Sequence, residues 1–127
     1  MSRIWTILTL VSALGVTLLS QSTVDPERTA GIRVMRMINT AENVVLQQSG
    51  KYVGLAELLD HRAMGGARAD FATNGSVVFY QGKQVRLVLS PDSSQYHAMV
   101  VPVDTCGTAV FSDERGLIYT GKVLDCK

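Results

Sequence analysis

Cysteine and proline are scarce in this chain of 127 residues, with two Cys and three Pro. Two cysteines are too few for a disulfide-dense mini-scaffold or a structural zinc site without a histidine cluster beside them. Three prolines and 11 glycines exclude collagen-like and proline-rich low-complexity chains. Charge of one sign is also lacking. Twelve Lys and Arg stand against eleven Asp and Glu, for a formal net charge of +1, so no basic excess is available to neutralise a phosphate backbone. What the chain does have is apolar side chains at 46% of positions, with only 18% charged, which is the composition of one domain folded around a core.

The only long apolar run lies at the start. Arg3 precedes an uncharged stretch, residues 4–19, and Ser20-Gln21-Ser22 places small residues at both positions a signal peptidase inspects. The run is shorter than the ~20 residues that span a bilayer without tilt or thinning. Residues 1–22 therefore read as a signal peptide cleaved after Ser22, or alternatively as an uncleaved anchor, and residues 23–127 as the domain. Either reading places the domain outside the cytoplasm: periplasmic or extracellular if cleaved, held at the inner membrane if not. Thiols oxidise in those compartments, so Cys106 and Cys126 are expected to form a disulfide. Closing a loop of about 20 residues is worth roughly 3 kcal/mol in the chain-entropy description.

Asp25-Pro26-Glu27 is a helix start: a carboxylate to accept from free backbone N–H groups, a proline at the first helical position, and an acid near the positive end. Ser49-Gly50 is a stop. The pattern predicts a helix over Pro26–Ser49, about 36 Å long. Its apolar stripe is read as Ala30, Val34, Met37, Ala41, Val44, Val45 and Gln48, with Ile38 beside them. A short second helix follows over 54–61, then a connecting loop over 63–75. From there the chain turns to β-rich runs at 76–81, 84–90, 96–103, 109–112 and 117–121. Gly82-Lys83, Pro91-Asp92-Ser93-Ser94 and Asp113-Glu114-Arg115-Gly116 supply tight turns, so the runs form an antiparallel meander. The expected fold is α+β: a long N-terminal helix packed on a meander of about four or five strands, closed by a C-terminal disulfide loop.

No catalytic residue or cofactor site is assigned. His61 and His97 sit apart in sequence, without His-x-x-x-His spacing, and read as surface or core histidines. No Gly-x-Ser-x-Gly elbow or Ser-x-x-Lys arrangement supplies a nucleophile. Gly65-Gly66 and Asn74-Gly75 read as flexible linkage, because no Gly-Lys-Thr or Gly-x-Gly-x-x-Gly follows a strand. Tyr52, Tyr80, Tyr96 and Tyr119 are candidates for a partner-facing patch.

Several segments then resemble the globular domain of type IV pilins and type II secretion pseudopilins. Arg36-Met37-Ile38-Asn39-Thr40-Ala41-Glu42 is similar to the Arg-Thr-Ile-Asn-Thr-Ala-Glu segment of the family's long helix, and Gly50-Lys51-Tyr52-Val53 with Leu55-Ala56-Glu57-Leu58 resembles the stretch after it. Residues 96–103 resemble the family's Tyr-x-x-x-Ala-x-Pro strand, and residues 111–118 its Phe-x-x-Asp-x-x-Gly-x-Ile hairpin. The Gly-Phe-Thr-Leu-Ile-Glu-like segment through which such subunits polymerise has no counterpart here, and Pro26 separates the apolar run from the helix. The resemblance implies a non-enzymatic, pilin-like structural or interaction protein of the bacterial cell envelope, with other envelope, pilus or secretion proteins as partners. Some pseudopilins bind calcium near their C-terminus, so the resemblance makes Asp104, Asp113, Glu114 and Asp125 candidate oxygen ligands. Their spread over turns favours ordinary turn chemistry, leaving a calcium- or small-ligand-binding module as the alternative and an exported enzyme as a further one.

Overall fold

The computed structural model describes residues 24–102 and 106–122. Helix α1 spans Pro26–Ser49, as the sequence predicts. Asp25 is its N-cap, with Oδ1 accepting from the Glu27 N–H at 3.0 Å, and Gly50 closes it in the left-handed region at φ 76°, donating to the Leu46 carbonyl at 2.8 Å. Both ends are written locally, which is why they are legible. Asp25 also reaches across the fold, where its Oδ2 accepts from the Thr108 hydroxyl at 3.1 Å.

A short α2 follows at Leu55–Asp60, and then 3₁₀ turns over Arg62–Asp70, interrupted at Gly65. Six strands complete the chain: β1 Phe71–Asn74, β2 Val77–Tyr80, β3 Lys83–Leu89, β4 Tyr96–Pro102, β5 Thr108–Asp113 and β6 Ile118–Lys122. They form one sheet in sequence order, antiparallel throughout. The architecture is therefore α+β, one long helix on a six-stranded meander.

The strand count corrects the expected four or five. Strand β1 falls inside the span read as a loop, because only Phe71 of its four residues is buried and one inward side chain makes no visible alternation. Asn74-Gly75 is then a hairpin signal, pairing Asn74 with Val77, and not a linker. A second correction concerns the β2–β3 turn. It consists of Gln81 and Gly82, one residue earlier than read, and both have positive φ (48° and 74°), the backbone twist a two-residue hairpin requires.

Helix α1 lies against β5 and β4 and against the 3₁₀ turns. Its buried residues are Gly31, Val34, Met35, Ile38, Ala41, Glu42 and Val45. The expected stripe is thus displaced: Ala30, Met37 and Val44 sit half-buried at its border and Gln48 is exposed. Gly31 belongs to the true stripe because a Cβ built there would stand 2.5 Å from Val110 Cγ2, so helix and strand can approach this closely only at glycine. The core beneath joins Val34, Met35 and Ile38 to Leu58, Tyr96, Val100 and Val110. Along β3, buried Val85 alternates with exposed Arg86 and Val88, as the period-2 pattern predicts.

Among the described residues no helix is long and apolar enough to cross a membrane. The apolar run expected to be a signal or anchor lies outside the described residues.

Candidate functional site

The chemically distinctive region lies where α1 meets the β5–β6 hairpin and the chain following α1. Three buried or half-buried polar side chains satisfy one another there. The Tyr96 hydroxyl donates to Asn39 Oδ1 at 2.7 Å, Asn39 Nδ2 donates to Ser112 Oγ at 2.7 Å, and the Ser112 hydroxyl donates to the Leu117 carbonyl at 2.9 Å. Such a chain ties α1, β4, β5 and the hairpin into one geometry, because displacing any member strands a donor or acceptor in the interior.

One helical turn further on, Glu42 is fully buried. Its Oε2 accepts from the Val53 N–H at 3.2 Å, securing the segment after α1, whereas Oε1 has no hydrogen-bond partner among the described residues. Burial lifts the carboxyl from its usual 4.5 to about 7, the Val53 N–H opposes the rise, and the nearby Glu57 charge adds to it. Tyr52 packs its ring edge-on against Tyr96, with centroids 4.9 Å apart and planes at 74°. Burial pushes the Tyr52 hydroxyl up, reinforced by Glu114 and Glu42, and the Tyr96 hydroxyl rises mainly through burial and then through Glu42.

Above this pair opens a cleft of about 330 Å³. Asn39 and Tyr96 form its floor with Tyr52, Thr40 and Asn43 rise from α1, and Glu114 to Gly116 close it from the β5–β6 turn. The turn is rigidly built. Asp113 Oδ1 accepts from the Arg115 N–H and Oδ2 from Arg115 Nε, both at 3.0 Å, and Gly116, at φ 73°, donates to the Asp113 carbonyl at 2.8 Å. The Arg115 guanidinium holds the Asp113 carboxyl below its usual range.

The residues singled out in the sequence do not converge. His61 ends α2, where its Nδ1 accepts from the Ala63 N–H at 3.1 Å as a cap for the 3₁₀ turns. His97 is exposed near the start of β4, in register with Val88 on one side and Asp113 on the other. Asp113 is committed to its own turn and to Arg115, while Asp104 and Asp125 lie outside the described residues. Among the described residues no three His, Cys, Asp or Glu side chains are grouped so as to hold a metal. Cys106 is exposed and is not a free thiol, and its expected partner Cys126 lies outside the described residues. The four tyrosines form no common patch: Tyr52, Tyr80 and Tyr96 are buried and Tyr119 is exposed.

Asn39, Glu42 and Ser112 were missed as a group because polar residues are assigned to surfaces by default. Phase was the available signal, since Glu42 falls four residues after Ile38 and three before Val45, squarely on the buried period. No model of a known protein family, no curated protein and no solved structure matches the chain.

Proposed function

We propose that the chain is a non-enzymatic, pilin-like structural or interaction protein of the bacterial cell envelope, exported to the periplasm or surface. The observation that carries this reading is the uneven covering of the sheet. Helix α1 is spent on one face, and on the other Met99, Phe111 and Tyr119 lie side by side across β4, β5 and β6. Phe111 and Tyr119 are 38% and 48% exposed, and Val88 on β3 is 58% exposed. An aromatic and aliphatic row on a rigid open sheet is a surface for another protein, since its burial would release water at ~25 cal/mol per Å². The segments resembling pilins supply the compartment and the kind of partner, an envelope, pilus or secretion protein. The Cys106–Cys126 bridge belongs to the same proposal and would hold the chain's end to the β4–β5 connection; the absence of a free thiol at Cys106 supports it.

Photo-cross-linking in intact cells tests the reading. With a benzoylphenylalanine at Phe111, a discrete adduct with an envelope protein is expected, and with the probe at Arg62, on the 3₁₀ turns, none. Recovery of the protein in the cytoplasmic fraction, or equal adducts from both sites, would refute it.

A further inference from the structure

The cleft between α1 and the β5–β6 turn has a division of labour among its polar groups that the interaction reading does not use. One set is spent. Asn39 and Tyr96 are occupied with each other and with Ser112, and Arg115 is clamped by Asp113 and also donates to the Tyr119 hydroxyl at 3.4 Å. The other set is open. Thr40, Asn43, Tyr52 and Glu114 make no side-chain hydrogen bond to any described residue. Glu114 Oε2 is closed off from water and has no donor among the described residues, an arrangement that costs free energy until a donor arrives. The charge balance points the same way. Among the described residues Arg115 is the only cation lining the cleft, and it is bonded to Asp113, so Glu114 has only a through-space attraction to it.

We propose that this cleft binds a primary alkylammonium group. An ammonium has three N–H donors and no acceptor. The open set offers it the Glu114 carboxylate, the Asn43 side-chain carbonyl and the Thr40 hydroxyl, while the alkyl stem lies over Gly116. Other cations fit less well. A hard divalent ion needs about six oxygens at roughly 2.3–2.6 Å, more than this mouth provides. A quaternary ammonium needs open aromatic faces, whereas Tyr52 and Tyr96 meet edge to face and are only 9% and 2% exposed. The volume, about 330 Å³, lies at the small end of the range for ligand pockets. The ammonium can come from a free diamine or from a lysine side chain of another protein. This inference does not rest on the interaction reading of the opposite sheet face.

The test is a titration of the ¹⁵N-labelled protein at low salt and neutral pH, followed by amide shifts. Four probes are used: 1,5-diaminopentane, Nα-acetyl-lysine methylamide, 1-pentanol and tetramethylammonium. Saturable shifts confined to the amides of residues 39–43, 52, 96 and 114–116 are expected with the two primary amines and not with the other two. Affinity for the diamine exceeding that for the lysine derivative tenfold would assign a free diamine, and comparable or weaker affinity a lysine side chain. Glu114→Gln should weaken binding by a factor of about ten or more, as loss of a charged hydrogen bond implies, with an unchanged melting temperature. Should that variant not fold, Asn43→Ala on the exposed side of α1 serves instead, with a several-fold loss expected. Shifts scattered elsewhere, an equal response to 1-pentanol, no response to either amine, or undiminished affinity in the folded variant would overturn the proposal.

Discussion

Glu42 makes the sharpest demand on solution behaviour. Its side chain is wholly buried, one oxygen has no partner among the described residues, and burial pushes its carboxyl up to about 7 from the usual 4.5. The folded state therefore holds the proton more tightly than the unfolded chain does. Below about pH 4.5 both states are protonated and the stability associated with the neutral group is fully present. Between about 4.5 and 7 the unfolded chain ionises first, and stability falls by up to about 1.4 kcal/mol per pH unit. Above about 7 both states are charged and the loss levels off at roughly 3 kcal/mol, a sizeable share of a small domain's stability. Asp25, Asp92 and Asp113 have carboxyls held below their usual range, so their contributions are lost only in more acid solution and leave this window to Glu42. Glu42→Gln removes the charge while keeping the shape and an acceptor for the Val53 N–H. Urea unfolding followed by far-ultraviolet circular dichroism, from pH 4.5 to 8.5, should show the variant about equal to wild type at the acid end and up to roughly 3 kcal/mol more stable at pH 8. A difference between the two proteins that does not change with pH would refute the reasoning.

Three further outcomes follow from the packing. Gly31→Ala drives a methyl group into Val110 and should cost about 1–3 kcal/mol in urea unfolding, part of it regained in the Gly31→Ala/Val110→Ala double variant; additive losses would mean that the close approach is not the cause. Tyr96→Phe takes from Asn39 Oδ1 the hydroxyl that donates to it at 2.7 Å, leaving the Ser112 hydroxyl at 3.0 Å as its remaining donor, and should cost about 0.5–1.5 kcal/mol, with the ring packing on Tyr52 retained, as near-ultraviolet circular dichroism would report. Cys126→Ser should lower stability by about 2–5 kcal/mol, and intact mass before and after reduction should differ by two hydrogens; an unchanged unfolding midpoint or an unchanged mass would mean that Cys106 and Cys126 are not joined.

Legibility tracked the range of the interaction involved. The limits of α1 were readable because Asp25, Pro26 and Gly50 act on backbone groups within four residues of themselves. The five strands from β2 to β6 were readable to within a residue or two, since alternation such as that of Val85, Arg86 and Leu87 is a property of neighbouring positions. The strand at Phe71–Asn74 escaped because its strand character comes from pairing with β2 and not from its own pattern. The candidate cleft was not readable at all. Asn39 and Ser112 are 73 residues apart, and Tyr96 lies 57 from Asn39, distances over which no spacing rule operates.

The chain by itself thus determined a capped helix followed by a run of hairpins, because caps and turns are chemistry between close neighbours. Tertiary structure alone decided which side of that helix turned inward, and with it that Gly31 and Glu42, neither of them apolar by composition, would be buried. A helix packed so near Val110 that a Cβ at position 31 would stand 2.5 Å from its Cγ2 selects glycine by contact. A carboxylate whose neighbours are Val53, Tyr52 and Tyr96 acquires its proton affinity from a surrounding that exists only once α1 and the sheet have met.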